Sequence, residues 1–385
     1  MTVLDSLDPN DWPLPSELEE RMLTPALVVW LDHVRHNIAC VLDRVGGPDR
    51  WRPHVKTTKT PVIWAELVSA GIRQFKCATT REAEHLARVL LEHRIQGGRI
   101  LIAYPLAGAN LARAAALADT FRESQFDVLV EDPETASSAP EILGRFVDVN
   151  TGMNRTGIPW DDEERVLATA RAAGSKLRGL HLYDGHQVHP DPAERARRIH
   201  ADHERAMGLL DRVRVACGPV AELVTSGTPA FPAAIDFAPF ADLGDTVHRV
   251  SPGTVVFHDG RSQEQDSVLG LRPAALVVAR VSSHPRADRF TCDAGSKSIA
   301  AEAGSPCAHI LGLPGWSAAS PSEEHLPFDR TANAQAALPE RGQLIRLVPR
   351  HVCPTVNLAE KLVLVDQGVF VGTAPVAARA HDLGI

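Results

Sequence analysis

Eight times between residues 46 and 254 the sequence passes from a short apolar run into a segment with helix-start signals, and this alternation most constrains what the chain can fold into. The strand candidates are 51–56, 74–78, 99–104, 126–131, 145–150, 177–183, 222–225 and 246–251. They recur every roughly 20 to 30 residues, the spacing of a strand plus a crossover helix. Between them, Thr60-Pro61 offers a cap followed by Pro at the first helical position, with Gly71 to close that helix, and Asp132-Pro133-Glu134 repeats the device. Thr79 and Glu82 have capping-box spacing. Eight such units predict an α/β fold, a (β/α)8 TIM-like barrel. A doubly wound sheet is the alternative, but no G-x-G-x-x-G follows any strand candidate, which removes its usual dinucleotide signature.

The flanks have a different texture. Residues 24–31 (TPALVVWL) form an apolar run of strand length, and Asp32 is placed to cap a helix ending at Gly46-Gly47. Beyond about residue 265 come AALVVARVSSH, RFTCDAG, AHILGLPGW, QLIRLVP, KLVLVD and GVFVGTA, short β-like runs separated by Gly, Pro and Ser, which predict a C-terminal all-β domain. The expected organisation is a leader and strand over 1–31 that joins the β-domain, a barrel over 32–265, and the β-domain over 266–385.

Forty Lys plus Arg stand against 48 Asp plus Glu in 385 residues, a net charge of −8 with no basic block, which argues against a nucleic-acid or anionic-membrane surface. The expected partner is a small molecule. The acidic N-terminal stretch lacks a secretory pattern, and the uncharged run 303–322 is broken by Gly and Pro, unlike a membrane helix. Six cysteines without a C-x-x-C pair fit a reducing cytoplasm. Only six of the cationic residues are Lys, so each invites a question about chemistry, and Tyr is scarcer still, at positions 104 and 183.

Barrel chemistry sits at the C-terminal ends of the strands. The first strand candidate ends in Arg52-Pro53-His54-Val55-Lys56, and a Lys desolvated at that mouth is suited to a Schiff base, whereas alone it would read as a solvated loop charge. The seventh and eighth run into Ser226-Gly227-Thr228-Pro229 and Ser251-Pro252-Gly253-Thr254. Small hydroxyl residues with Gly suit a phosphate, because Gly lets backbone N–H groups approach its oxygens, although each pair alone is an ordinary turn. An amine and a phosphate cradle at one mouth together suggest pyridoxal phosphate. In the β-domain, His351 and Cys353 are two residues apart; on an extended strand they would share a face, about 6.5 Å apart along the chain, and could reach one ion. Imidazole and thiolate are Zn ligands, and two of them leave the open positions of a catalytic site. Other histidines are weaker: His186 and His189 flank a turn, His200 and His203 read as a solvated helix face, and Glu323-Glu324-His325 reads as a charged loop.

In order and spacing, RPHVKTTKTP, DVNTGMNRTG, YDGH, SGTP, PGTVVF, DAGSK and HVCPTVNL resemble the D-serine dehydratase and D-threonine aldolase family, pyridoxal-phosphate enzymes related to alanine racemase. The resemblance runs from Thr24 to about Phe370. It implies a barrel plus β-domain, a homodimer, and a D-configured β-hydroxy amino acid as substrate. It places the Schiff-base Lys on Lys56 with His54 beside it, the cofactor-contacting Tyr on Tyr183, the barrel Arg on Arg155, the phosphate turns on Ser226, Gly227, Thr228, Gly253 and Thr254, and the metal pair on His351 and Cys353. Thr58 departs from the family, which usually has His there.

Two reactions start from the same complex, loss of water from Cβ and aldol cleavage of Cα–Cβ. Dehydratase-like members carry H-x-C and resemble Zn enzymes, whereas aldolase-like members tend to carry H-x-D, a harder site suited to Mn. Cys353 therefore points to a D-serine dehydratase-like lyase, with a D-threonine or 3-hydroxy-D-aspartate aldolase as the alternative. A racemase of the alanine type would need a β-domain Tyr, and both tyrosines lie in the barrel segment. A non-catalytic pyridoxal-phosphate carrier would have no use for the β-domain.

Overall fold

The computed structural model describes residues 3–265, 269–332 and 334–384. In chain order its strands are β1 (Ala26–Trp30), β2 (Gln74–Cys77), β3 (Gly98–Pro105), β4 (Ser124–Val130), β5 (Gly144–Asn150), β6 (Ile158–Pro159), β7 (Leu177–Leu182), β8 (Glu222–Thr225) and β9 (Val247–Val250). There follow β10 (Ala275–Arg286), β11 (Arg289–Cys292), β12 (Ala308–Ile310), β13 (Trp316–Ala318), β14 (Leu326–Arg330), β15 (Leu344–Pro349), β16 (Lys361–Asp366) and β17 (Val369–Pro375). Contacts gather the chain into two units: Leu42–Lys56, Trp64–Gly253 and His381–Ile385 form one, and Met1–Val41, Thr57–Ile63 and Thr254–Ala380 the other.

The first unit is the barrel. Its strands run parallel in the order β2-β3-β4-β5-β7-β8-β9, with β6 paired to the end of β5. The segment expected as the first strand closes the ring through two parallel bridges, Trp51 to Val250 and His54 to Lys76. Pairing goes no further because Pro53 has no N–H to donate and the chain turns over 55–58, so Lys56 falls in the turn rather than in a strand. The cap signals are met: Thr79 accepts from the Glu82 N–H, and Asp132 from that of Thr135. Residues alternate between two faces. Val147, Val149, Leu180, Leu182 and Leu223 pack outward against Val166, Ala170, Leu209 and Leu210 of the helices Glu163–Ala173 and Pro192–Cys217. Leu101, Leu129, Phe146 and Val224 make a separate cluster on the other parity. The long helix corrects one expectation, for His203 is buried against Phe237 and Phe240 instead of solvated.

The second unit is the β-domain, with strand order β13-β14-β11-β10-β1-β16-β17 and with β15 paired to β10 and β12. Strand β1 pairs within this sheet, antiparallel to β10 (Ala26 opposite Val278) and parallel to β16 (Val28 opposite Val363). The leader packs on it: Leu4, Trp12, Leu14 and Leu18 share a core with Val28, Trp30, Leu276, Val278 and Val348. The following helix begins at Leu31, so Asp32 stands in its first turn and not at the cap. Strand β14 was not among the expected runs; its Leu326 and Phe328 are buried, while Pro327 and Asp329 alternate with them half-exposed.

Candidate active site

On the inward parity of the barrel, charge replaces the apolar residues at both ends. Glu222, two residues before Val224, accepts hydrogen bonds from Nε and Nη2 of Arg52 at 2.6 and 2.7 Å and pairs with Arg249 at 2.6 Å. Every member is buried, and the arginines outweigh burial to keep the Glu222 carboxyl below its ordinary range. At the other end stand Asp148, two residues after Phe146, and His181, two residues after Gly179. Nδ1 of His181 lies 2.7 Å from Asp148, whose second oxygen accepts from the Thr156 hydroxyl at 2.9 Å.

Tyr183, just beyond β7, collects the expected cations. Arg155 stands 4.8 Å and Lys56 Nζ 5.8 Å from its ring centroid, as cation–π partners. A third cation, Lys76 of β2, lies 5.7 Å away; it was not singled out from the sequence, although a lysine inside the apolar run QFKC of a barrel strand was the signal for it. A Cβ at Gly227 would lie 3.0 Å from the Tyr183 ring, and one at Gly253 only 2.3 Å from the His54 carbonyl oxygen, so close approach of backbone explains both glycines. His54 is buried at its bridge, and Thr228 lies in the turn after Gly227.

The turn after β8 already holds an anion. Ser226, at φ +65, donates its hydroxyl to Asp184, and the Gly227 N–H donates to the other oxygen of the same carboxylate, both at 3.0 Å. A left-handed serine is uncommon and marks a backbone kept in place by its surroundings. Burial pushes the Asp184 carboxyl up to about 6, against these two hydrogen bonds. Three cations around one aromatic ring, an anion cradle after β8 and a buried His186 Nδ1 with no partner among the described residues fit an anionic aromatic phosphate such as pyridoxal phosphate.

In the β-domain, His351 and Cys353 do come together, but not on a strand. Strand β15 ends at Pro349, His351 is the cap residue of the helix Val352–Leu358, and Cys353 lies in its first turn, where Pro354 costs no hydrogen bond. Cys353 Sγ is 3.1 Å from the Thr57 hydroxyl and 3.4 Å from that of Thr254, so this threonine of the expected phosphate turn faces the thiol. Nδ1 of His351 is 2.5 Å from Glu302, and the Val352 N–H donates to Asp259 at 3.1 Å. The Cys353 side chain, aided by Glu302 and against burial, pushes His351 up to about 9; burial pushes the thiol up, and His351 more than reverses it. Among the described residues no group of three or more His, Cys, Asp and Glu is arranged around an ion. The pair itself fits a Zn site with open positions, since it offers N and S donors and Glu302 orients the imidazole as carboxylates orient metal-binding histidines. Two other lysines are engaged elsewhere in this unit: Lys59 donates to the Ala378 carbonyl, and Lys297 pairs with Glu323 and Glu324 of the charged loop.

A parallel barrel followed by an antiparallel sheet domain is the architecture of the alanine racemase-like proteins. Residues 29–259 match the family described as "Alanine racemase, N-terminal domain", to which the chain belongs, and residues 274–365 match "Putative serine dehydratase domain". The chain is 28% identical to the D-threonine aldolase of Arthrobacter sp., over 96% of each sequence, and 27% identical to the D-threo-3-hydroxyaspartate dehydratase of Delftia sp. (strain HT23), over 86% of this chain and 91% of that one. The crystal structure of D-threonine aldolase from Filomicrobium marinum superposes with a TM-score of 0.79 at 26% identity, covering 95% of this chain and 97% of that one. These named relatives are lyases. No helix among the described residues is long and apolar enough to cross a membrane.

Proposed function

We propose that the chain is a pyridoxal-phosphate- and Zn-dependent lyase of D-configured β-hydroxy amino acids, and that it removes water from a substrate such as D-serine to give a keto acid and ammonia. The observation that carries this reading is the cation set around Tyr183, with Lys56 as the amine that would hold the cofactor. Bound there, pyridoxal phosphate supplies an electron sink for charge developing at the substrate Cα. Tyr183 would support its ring, Arg155 would balance its negative charge, and Ser226, Gly227, Thr228, Gly253 and Thr254 would hold its phosphate. Ser226 and Gly227 would exchange the Asp184 carboxylate for that phosphate. Once released, the Lys56 amine is the base that would take the Cα proton. His351 and Cys353 would hold a Zn ion, which supplies a Lewis acid for the departing hydroxyl.

The soft thiolate donor supports dehydration, and the resemblance to D-threonine aldolases supports the second reading, retro-aldol cleavage. Incubating the purified protein with D-serine, D-threonine and D-threo-3-hydroxyaspartate separates the two. Keto acid with ammonia is the expected outcome; glycine with an aldehyde from D-threonine would replace dehydration by aldol cleavage, and neither product from any substrate would overturn the lyase reading.

A further inference from the structure

Lys76 lies within β2, 2% exposed, yet among the described residues its ammonium-bearing end forms no ion pair with a carboxylate. Nζ stands 3.3 Å from Nε2 of His181. Since Asp148 accepts the proton on Nδ1 of that ring, Nε2 is the bare nitrogen and the Lys76 amine is the donor. Asp148 is ionised: burial alone would push it up, but the hydrogen bonds from His181 and Thr156 and the charge of Lys76 hold it below its ordinary range. Burial keeps His181 neutral, below the usual imidazole range. Desolvation and then the Lys56 charge push Lys76 down to about 7, Arg52 adds to this, and Asp184 and Asp148 oppose it. On the other side, β2 pairs Lys76 with Leu101 of β3, which brings no charge.

We propose that Lys76 is a further cofactor-binding residue of the barrel, an amine that takes up a proton when an anionic aromatic phosphate settles against Tyr183 and thereby ties cofactor retention to pH. The inference rests on the barrel being a pyridoxal-phosphate site. Lys76 shares the Tyr183 ring with Lys56 and Arg155, two of the residues expected to meet that ligand, and its side-chain hydrogen bond is with a neutral ring. The step is simple in its balance: one solvent proton adds to the amine, and no other bond forms or breaks. By linkage, an anion that favours the ammonium form binds more weakly as pH rises through the amine's range in the free protein.

The probe is 4-deoxypyridoxine 5′-phosphate, which has no carbonyl for Lys56 to engage. Calorimetry in buffers of different ionisation heat counts the protons taken up per molecule bound. Uptake should be near zero at about pH 6 and approach one at about pH 8.5, with affinity falling about tenfold per pH unit above about pH 7. Lys76→Met should lose both the uptake and the slope, and Lys76→Arg, permanently charged, should keep the affinity without the slope. Asp184 titrates at about 6, so Asp184→Asn should retain the uptake at the higher pH. Equal uptake by wild type and Lys76→Met would overturn the inference. So would a Lys76 amine found fully charged at about pH 9 in the free wild-type protein by nitrogen NMR, a measurement that needs no substitution. Failure of both pyridoxal 5′-phosphate and the analogue to bind at any pH would instead remove the cofactor reading, and this inference with it.

Discussion

His181 in the barrel and His351 in the β-domain are built alike, each with a carboxylate against Nδ1, at 2.7 Å from Asp148 and 2.5 Å from Glu302. They end in opposite states. His181 is fully enclosed and its second neighbour is the amine of Lys76, so burial and a nearby cation keep it neutral. His351 is half-exposed and its second neighbour is the Cys353 side chain, which together with Glu302 favours the charged ring, while the ring in turn draws the thiol below its ordinary range. A histidine–carboxylate pair therefore does not define a function. The group on the other side of the ring decides whether it is a neutral acceptor that steers an amine or a charged ring beside a soft donor.

The largest expected effect separates the two regions by what each holds. Lys56→Ala should lower turnover by about 10³-fold or more and abolish the label that borohydride fixes on residue 56 in the wild type. A label that moves to Lys59 or Lys297 would assign the cofactor to a different lysine. Next comes the β-domain: Cys353→Ala, or chelation, should lower elimination from a β-hydroxy substrate by about 10²-fold or more while cofactor absorbance stays. β-Chloro-D-alanine, with a leaving group that needs no Lewis acid, should still be eliminated. Full-rate dehydration by the chelated protein would remove the metal from the reaction.

Acid should distinguish the regions as well. His203 and His248 are buried in the barrel, and burial holds His203 down to about 3 and His248 well below its ordinary range. Below about pH 6.5 the unfolded chain binds protons at these rings that the folded chain refuses, so stability rises with pH there and falls on acidification, by about 1.4 kcal/mol per pH unit for each ring. The His351–Cys353 pair behaves otherwise. The folded His351 ring, raised to about 9, keeps a proton that the unfolded ring sheds above about pH 6.5, whereas the lowered Cys353 thiol sheds its own earlier than the unfolded one, so the two contributions to the slope of the metal-free pair have opposite signs. Denaturant unfolding of the metal-free protein from pH 5 to 9 checks both; a barrel as stable at about pH 5 as at 7 would mean that those rings are charged when folded.

The smallest effects come from the two carboxylates. Asp148→Asn removes a buried charge and puts an amide donor against either His181 or Thr156, and should cost about 1 to 3 kcal/mol in denaturant unfolding. Glu302→Gln, at a carboxylate 53% exposed, should cost less than about 1 kcal/mol. Equal costs would show that burial does not set the difference between the two histidines.

Several of these residues were legible without coordinates. Lys56 and Ser226 stand at or just past predicted strand ends, where a barrel concentrates chemistry, Arg155 and Tyr183 were pointed to by the family resemblance, and seven of the eight strand candidates became ladder strands because alternation and caps are signals carried within a few residues. His351-x-Cys353 was legible as a pair of donors but not as a helix start, since the same three letters suit an extended strand until Pro349 ends β15 ahead of them. The role of Asp184 on the Ser226 turn was hidden, because the two are brought together only by the pairing of β7 with β8.

By itself, then, the sequence determined seven of the barrel strands, most runs of the second sheet, and which lysine and which His–Cys donor pair to suspect, because those follow from local periodicity and residue type, while the tyrosine was suspected from the family resemblance. Tertiary structure alone decided that Lys76, Asp148 and His181 meet inside one ring of strands, that His203 is buried, and that of two histidines with carboxylate partners one is neutral and the other charged. Burial and charge proximity are sums over neighbours distant in sequence, and the closing of the barrel sets them.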